Sequence, residues 1–381
     1  MSTRPPSPVI ATIDLQAITD NVTALRTRLP AGAGLLVAVK ANAYGHGAVA
    51  VAQHLERHDL ADLLGVATVP EADELRAAGV GLPILKLSHC LPDELPAALE
   101  AGCELTIVDE ATARAASAAV AAGAGGTTTS AARVHLKLDS GMGRIGAPLG
   151  DGVELARLVR SLPGLDLVGV FTHLPIADLG DDGGFTDDEL AAFLSVVAGI
   201  EADSGPLQWV HAANSGALLA HDLTGFTLAR PGIAVYGCYP DATTPRTVPL
   251  RQVMRVATRL FFRKWVEPGT SIGYGRTWTA SSGTWIGTVP IGYGDGFSRL
   301  NSNRGQVLVN GRRVPVVGRV CMDQTMVDLG PDSSDAVGDE VVVLGGQGDE
   351  FISTDELAGL MGTISYEVTC LFTDRVERRH S

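Results

Sequence analysis

The sequence has few cysteines, no run of basic residues and no apolar stretch long enough to cross a bilayer. Its five cysteines are an odd, widely spaced set without CxxC spacing, so neither a disulfide framework nor a zinc or other metal site is indicated. Prolines near the N-terminus stand where a signal peptide would have its apolar core. These absences predict a cytoplasmic protein in a reducing compartment.

Positive charge is also scarce. The chain has 29 Lys and Arg against 43 Asp and Glu, and its formal net charge of -14 disfavours nucleic acid and anionic membranes as partners. A small-molecule substrate fits this charge better. The 381 residues, 45% of them hydrophobic, can bury a large core and are more typical of two domains than of one.

Short apolar runs alternate with Ala- and Leu-rich helical stretches from residue 34 to about residue 240, as repeated βα units do. Eight candidate strands lie at 35–39, 63–68, 83–87, 105–108, 134–138, 165–172, 208–211 and 226–229. Because no GxGxxG fingerprint follows the first strand, eight such repeats favour an α/β TIM (β/α)8 barrel over an open doubly wound sheet. Residues 121–132 are predicted to form a loop before the fifth strand.

The pattern changes after residue 240, where strand-like segments replace most helical ones. Asn310-Gly311 stands between two alternating apolar runs and predicts a hairpin. Further strands are expected at 285–291, 319–329 and 341–344, and a short helix at 355–361. We therefore predict a barrel domain over residues 1–245 and a mainly-β domain over 246–381. A first strand candidate at 9–13 could pair with either domain.

Lys40 is the most informative single residue. It ends an apolar run and precedes a turn that is rich in glycine, which places it at the C-terminal end of the first barrel strand, where TIM barrels have their active sites. Desolvation in a cleft favours the neutral, nucleophilic amine, which can form a Schiff base. The alternative is a surface lysine at the end of a strand.

Other polar residues follow the later strands and converge on the same rim of a barrel. They are Lys137, Asp139, Arg144, His173, Asn214, Ser215 and Arg230. The backbone N–H groups of Gly232 and Ile233, with Asn214 and Ser215 ahead of a helical stretch, offer an anion site where TIM barrels often bind phosphate. Two ordinary turns would explain these segments equally well. A lysine and a phosphate cradle in one barrel mouth together indicate pyridoxal phosphate.

In these motifs the chain resembles the bacterial alanine racemases, which are pyridoxal-phosphate enzymes of fold type III with a TIM barrel followed by a β-domain. The resemblance covers nearly the whole chain and keeps the order of the family. The matching segments are 38–47, 137–146, 171–173, 211–215, 230–237, 273–275, 291–296, 318–324 and 363–368. Residues 174–184 and 369–376 depart from the usual pattern, and the first departure could alter the rim of the site and substrate choice.

The resemblance implies a role for each matching residue. Lys40 would hold the cofactor and act as a base on one face of the substrate Cα, and Tyr274 would act on the opposite face, which gives racemisation. The phosphate would be bound by Tyr44, Ser215, Gly232, Ile233 and Tyr366. The substrate carboxylate would be received by Arg144 and the backbone of Met322. Lys137 stands at the family's carbamylated lysine, whose carboxylate-like group would orient Arg144. Asp323 and Arg299 could line the site or be ordinary hairpin charges.

Two physical arguments agree with these roles. A phenol has a reference pKa near 10, so a tyrosine that removes a Cα proton needs positive charge or hydrogen bonds nearby, which His173 and Arg230 could supply. In the family this arginine faces the pyridine nitrogen, which limits delocalisation into the ring and so suppresses side reactions. In the family Tyr274 also reaches the neighbouring chain, which implies a homodimer with shared active sites.

Three other functions remain open from the sequence. A fold-type-III amino-acid decarboxylase has the same architecture, but Arg230 counts against it because a decarboxylase benefits from a protonated pyridine ring. A non-catalytic pyridoxal-phosphate carrier needs no second base. A racemase of serine or of broader specificity is compatible with every motif, since a small apolar pocket rejects an added hydroxyl only modestly. Whether D-alanine would serve cell-wall biosynthesis or catabolism is also open.

Overall fold

The computed structural model describes residues 7–123 and 131–381, which form two compact units. The barrel unit comprises Thr19–Val235 and Tyr239–Leu250. The β-unit comprises the described chain through Ile18, Tyr236–Cys238 and Arg251–Ser381. Among the described residues, no helix combines the length and apolarity that a membrane span requires.

The chain begins with strand β1 and helix α1 and continues with the strands of the barrel unit. The first two elements are β1 Ile10–Ile13 and α1 Leu15–Arg26. The strands that follow are β2 Gly34–Ala38, β3 Leu63–Val66, β4 Ile84–Lys86, β5 Cys103–Ile107, β6 Ala132–Asp139, β7 Ala147–Pro148, β8 Leu165–Phe171, β9 Trp209–His211 and β10 Leu228–Ala229. Apart from β7, which pairs only with β6, these strands form one parallel sheet in the order β10-β2-β3-β4-β5-β6-β8-β9.

The sheet curves into a nearly closed barrel. Its two end strands are joined by backbone bonds from Thr227 N to Val210 O at 3.0 Å and from Arg230 N to Ala213 O at 2.8 Å. All five residues of β2 are buried, which is typical of a parallel strand covered on both faces. The leucines Leu36, Leu63, Leu85 and Leu228 come from four different strands and pack in one buried cluster.

The helices of the barrel unit alternate with its strands, as a βα repeat requires. They are α2 Lys40–Tyr44, α3 Ala48–Arg57, α4 Val69–Ala77, α5 Leu95–Glu100, α6 Glu110–Ala121, α7 Gly152–Ser161, α8 Phe185–Ser204 and α9 Ser215–Ala220. The short α2 is unusual because residues inside it have left-handed backbone angles.

The β-unit consists mainly of antiparallel strands. They are β11 Met254–Arg259, β12 Phe262–Val266, β13 Ser271–Ile272, β14 Trp278–Thr279, β15 Thr284–Val289, β16 Gln306–Val309, β17 Arg312–Pro315, β18 Thr325–Gly330, β19 Glu340–Gln347, β20 Glu350–Ile352 and β21 Glu377–His380. The largest sheet runs β17-β16-β19-β11-β1-β21, with β20 beside β19, and smaller sheets contain β12-β15-β18 and β13-β14. Two helices, α10 Thr354–Met361 and α11 Ser365–Leu371, complete the unit.

The predicted fold class, a TIM barrel followed by a mainly-β domain, is confirmed. A strand overlaps each of the eight predicted barrel strands. The predicted hairpin is formed by β16 and β17, with Val309 opposite Arg312 and positive φ at both Asn310 and Gly311. Of the predicted strand 319–329, only the second half is regular strand, and α11 was not predicted.

The open question about the first strand is answered by its pairing. β1 lies between β11, to which it is antiparallel, and β21, to which it is parallel, so it belongs to the β-unit. This pairing could not be read from the sequence because its partners are more than 200 residues away. Residues 124–130 of the predicted loop lie outside the described residues, while Ala121 ends α6 and Ala132 begins β6.

Candidate active site

Lys40 stands at the start of a left-handed turn that follows the first barrel strand. Ala41, Asn42, Ala43 and Tyr44 all have φ between 52° and 53°. Left-handed backbone costs an L-residue roughly 1–2 kcal/mol, and such conformations persist only where the surroundings fix them. The surroundings must therefore fix these four consecutive left-handed residues directly beside Lys40.

Hydrogen bonds from both sides fix this turn. Within it, Ala43 N donates to Val39 O at 2.7 Å and Gly45 N donates to Ala41 O at 2.9 Å. From outside, Glu71 Oε1 accepts from Ala41 N at 2.7 Å, while its Oε2 accepts from the backbone at the start of α4. The carboxylate of Glu71 therefore ties the lysine turn to the next βα unit.

A small cradle of donors lies after the last two barrel strands. Ser215 Oγ accepts from Gly232 N at 3.0 Å and from Ala234 N at 3.2 Å. A Cβ added to Gly232 would lie 2.3 Å from the Tyr44 hydroxyl, so only glycine allows that phenol to approach the loop. The predicted residues Tyr44, Ser215 and Gly232 are thus brought together, and the two hydroxyls are donors of the kind that suit a phosphate.

The predicted cationic residues of the rim lie around His173. Burial, together with the charges of Arg230, Arg144, Lys137 and Lys40, lowers the pKa of His173 to about 2. The imidazole is therefore neutral at physiological pH. It can offer hydrogen bonds to a tyrosine but no positive charge, which leaves Arg230 as the permanent cation of the pair considered above.

Lys137 is 3% exposed in the same cluster. Burial and the charge of Arg230 lower the pKa of its amine to about 7, although Asp139 acts in the opposite direction. Its Nζ lies 5.0 Å from the centre of the Phe171 ring. An amine with this pKa is substantially unprotonated at neutral pH and is therefore nucleophilic.

Arg230 is held by three acceptors at the end of the barrel. Its Nη2 donates to Thr172 O at 2.7 Å and to Ala212 O at 3.0 Å, and its Nη1 lies 3.0 Å from His211 Nδ1. Burial lowers its pKa to about 9, so the guanidinium stays charged at neutral pH. The neighbouring Phe171 ring stacks on His211, with centres 4.8 Å apart.

The remaining predicted site residues of the barrel unit have separate environments. Asn214 caps α9, its Oδ1 accepting from Ala217 N at 3.0 Å. Ile233 is fully buried beside Gly232. Arg144 is exposed on the loop after β6, close enough to influence both His173 and Lys137.

Five candidate site residues belong to the β-unit, and Tyr274 is the most distinctive of them. It begins a short 3-10 turn between β13 and β14 and is 71% exposed. Gly273 and Gly275, on either side, both have positive φ, and a cavity of about 470 Å³ lies alongside. Tyr274 is thus presented on a tight hairpin and is not packed within a sheet.

The other β-unit candidates have mixed environments. Met322 is 53% exposed. Asp323 accepts from Arg375 Nη2 at 2.7 Å, so its carboxylate has a structural partner. Arg299 begins a short 3-10 turn, and Tyr366 lies in the first turn of α11, half-buried. No group of three or more His, Cys, Asp or Glu among the described residues could hold a metal ion.

The sequence did not reveal the buried polar residues behind Arg230. His135 and His211 are fully buried, and Glu104 is 4% exposed. The only signal was a histidine inside two apolar strands, in Val134-His-Leu and Val210-His-Ala. A satisfied core histidine is the ordinary explanation of such a residue, so neither was singled out.

The fold and the barrel-mouth residues define the class of protein: a TIM-barrel protein with a buried lysine and arginine, a cradle of hydrogen-bond donors and a β-unit. The family model described as "Alanine racemase, N-terminal domain" matches residues 13–240, and that described as "Alanine racemase, C-terminal domain" matches residues 253–380. The chain belongs to the alanine racemase family.

Individual relatives agree with the family models. The alanine racemase of Cutibacterium acnes is 49% identical over 375 residues, which cover 98% of each chain. The alanine racemase structure from E. faecalis has a TM-score of 0.91 at 36% identity and 98% coverage of each chain. The alanine racemase of Bartonella henselae, solved with covalently bound pyridoxal phosphate, has a TM-score of 0.86 at 26% identity, covering 99% of this chain and all of that one.

Proposed function

We propose that this protein is a pyridoxal-phosphate-dependent racemase that interconverts L-alanine and D-alanine, with Lys40 and Tyr274 as its two bases. The observation that carries the proposal is the barrel mouth, where Lys40 begins a left-handed turn whose last residue, Tyr44, packs against Gly232 of the donor cradle. The charges of Lys137, Arg144 and Arg230 act on His173 together with that of Lys40. We also propose a cytoplasmic location, in keeping with the sequence.

The residues present fit the cofactor. The hydroxyls of Tyr44 and Ser215 and the backbone N–H groups of Gly232 and Ile233 would hold the phosphate, with Asn214 shaping the loop and Tyr366 of the β-unit contributing a further hydroxyl. Lys40 would hold the cofactor's carbonyl carbon. Bound pyridoxal phosphate supplies an electron sink that makes the Cα proton of an amino acid removable.

Proton transfer is the task of the two bases. Lys40 would hold or deliver a proton at Nζ on one face of the Cα, and Tyr274 would do so at its phenol oxygen on the other face. A proton removed on one side and returned on the opposite side inverts the stereocentre. Because Tyr274 is exposed on a hairpin of the β-unit, we propose that a second copy of the chain completes the site, giving a homodimer with shared active sites.

Arg144 would receive the substrate carboxylate, with the backbone N–H of Met322 as a further donor, and Lys137 would orient Arg144. The unprotonated amine of Lys137 can attack carbon dioxide, forming an N–C bond and releasing one proton, which leaves a negatively charged carbamate. A negative group between Arg144 and Arg230 would relieve the repulsion between those cations and orient Arg144. Asp323 would support the site from its ion pair with Arg375.

Arg230 would control the reaction. An arginine that stays charged disfavours protonation of a pyridine nitrogen facing it, and this limits electron withdrawal by the ring. The arrangement favours immediate reprotonation of the Cα over decarboxylation or transamination. His173 would contribute hydrogen bonds as a neutral imidazole.

The direct test is to incubate the purified protein with L-alanine and separate the enantiomers by chiral chromatography. We expect D-alanine to form until the enantiomers are equal, together with a visible absorption band that borohydride abolishes. A panel of other L-amino acids, including L-serine, compares specificity under the same conditions. Carbon dioxide release without D-product would favour a decarboxylase, and a band without any turnover would favour a carrier.

A further inference from the structure

A continuous chain of hydrogen bonds runs through the barrel interior from Arg230 to a carboxylate near the start of β5. Arg230 Nη1 lies 3.0 Å from His211 Nδ1, and His211 Nε2 lies 2.9 Å from His135 Nδ1. His135 Nε2 lies 2.7 Å from Glu104 Oε2, and Glu104 Oε1 accepts from Arg133 Nε at 2.6 Å. Glu104, His135 and His211 are all buried.

The two ends of the chain determine the direction of every bond in it. A guanidinium only donates, so His211 Nδ1 must be an acceptor, and the proton of that ring is therefore on Nε2. His211 Nε2–H then donates to His135 Nδ1, which places the proton of His135 on Nε2 as well. A carboxylate only accepts, so Glu104 accepts the hydrogen bond that His135 Nε2–H donates. Both imidazoles are thus neutral Nε2–H tautomers.

The surrounding residues are shaped to hold the two rings. A Cβ added to Gly169 would lie 2.4 Å from His135 Nδ1, so glycine at this position of β8 makes room for the ring. His211 is fixed by stacking on Phe171, with the two ring planes 14° apart. The ring plane of His135 lies at 89° to that of His211. The rings therefore cannot turn to exchange their nitrogens without displacing packed neighbours.

The charge states agree with this direction. Burial lowers the pKa of His135, although its bond to Glu104 opposes the shift, and burial with the nearby Arg230 charge lowers the pKa of His211 well below its ordinary value. Burial alone would raise the pKa of Glu104, but its bonds to His135 and Arg133 together lower it. The chain is thus a carboxylate and a guanidinium joined by two neutral rings.

We propose that Glu104 and His135 are positioning residues that act on Arg230 through His211, by keeping the lone pair of His211 Nδ1 directed at the guanidinium. This rests on the proposed function in so far as Arg230 controls the cofactor. If the chain were reversed, His211 Nδ1–H would face an N–H of Arg230. The guanidinium would then lose one of its three acceptors and shift, and side reactions would increase.

Glu104→Gln tests the direction directly. Because Arg133 can only donate, the amide oxygen of Gln must face Arg133 and the amide NH2 must face His135 Nε2. As long as Arg133 keeps its place, this substitution favours the reversed chain with almost no change of shape. Glu104→Asp keeps a group that only accepts, and Glu189→Gln is a matched control, since Glu189 is also buried in the barrel unit, at 6% exposed.

The first measurement is ¹⁵N NMR of the full-length, histidine-labelled protein as purified, which reports the protonated nitrogen of each ring without any turnover. We expect Nε2–H at both rings in the parent protein, in Glu104→Asp and in Glu189→Gln, and Nδ1–H at both rings in Glu104→Gln. If Glu104→Gln does not fold, the parent spectrum still decides. A charged ring or an Nδ1–H ring in the parent would overturn the proposal.

The second measurement is the number of racemisation events per pyruvate formed, since transamination converts L-alanine and pyridoxal phosphate into pyruvate and pyridoxamine phosphate. Loss of a hydrogen bond to a charged group predicts a decrease of about tenfold in Glu104→Gln, with recovery in Glu104→Asp. An unchanged ratio with reversed tautomers would overturn the proposal. Failure of the proposed function is separate, because it would remove the visible band and racemisation from the parent protein and leave the NMR result intact.

Discussion

The barrel unit and the β-unit present their candidate catalytic residues in opposite ways. In the barrel, Lys137, Ser215 and Arg230 are 3%, 2% and 7% exposed and are held by short hydrogen bonds or by packing. In the β-unit, Tyr274 and Met322 are 71% and 53% exposed. The barrel candidates are therefore preorganised and shielded from water, whereas the β-unit presents its candidates to solvent.

The largest effect is expected from the barrel side. Lys40→Ala should abolish the visible cofactor band and reduce racemisation by about 10⁴-fold or more, because both the covalent attachment and one base are lost. Absorbance spectroscopy and chiral chromatography measure the two effects. Partial recovery of activity with added methylamine is the control that separates loss of the amine from misfolding. A variant that kept its band would mean that the cofactor is attached elsewhere.

Much of this barrel side could be predicted from sequence. Lys40 and Arg230 follow buried strands and Lys137 lies near the end of one, and the parallel βα repeat brings strand ends to one rim. The chain Glu104–His135–His211 could not be predicted, because its members come from three strands whose registers only the structure provides. The left-handed turn after Lys40 was also missed, since alanine and tyrosine do not indicate positive φ.

In the β-unit, the largest effect is expected from Tyr274→Phe, which removes the phenol hydroxyl of the candidate base. We expect about 10²- to 10⁴-fold slower racemisation with the cofactor band retained, because one of two proton carriers is removed and the binding residues are untouched. In deuterium oxide, exchange of the Cα proton of one enantiomer should persist while inversion stops. Full activity in this variant would show that the second proton donor is a different residue.

Substitution in the donor cradle of the barrel unit should have an intermediate effect. Gly232→Ala places a methyl group 2.3 Å from the Tyr44 hydroxyl, and such overpacking costs about 1–3 kcal/mol. This corresponds to about 10- to 100-fold weaker cofactor binding. Titration of the cofactor-free protein with pyridoxal phosphate measures it. Gly150→Ala is the matched control, because its added Cβ would meet no atom within 4 Å. Equal affinities in the two variants would count against this cradle.

The smallest effect concerns Lys137 and depends on pH. Its pKa of about 7 means that the amine is mostly neutral at pH 8 and mostly protonated at pH 6. Since only the neutral amine forms a carbamate, bicarbonate should raise activity severalfold in carbonate-depleted protein at pH 8 and hardly at all at pH 6. A carbamate signal in ¹³C NMR after addition of labelled bicarbonate checks the modification. The same response in Lys137→Ala would assign the effect to another group.

The contrast between the lysine of the barrel and the exposed tyrosine of the β-unit is tested most directly by mixing two inactive variants. Lys40→Ala and Tyr274→Phe are co-expressed with different tags, and the mixed dimer is isolated. If each site takes Lys40 from one copy and Tyr274 from the other, one of the two sites is intact, and the mixed dimer should have about half the activity of the parent dimer. A mixed dimer as inactive as either variant alone would contradict shared sites and the two-base account built on them.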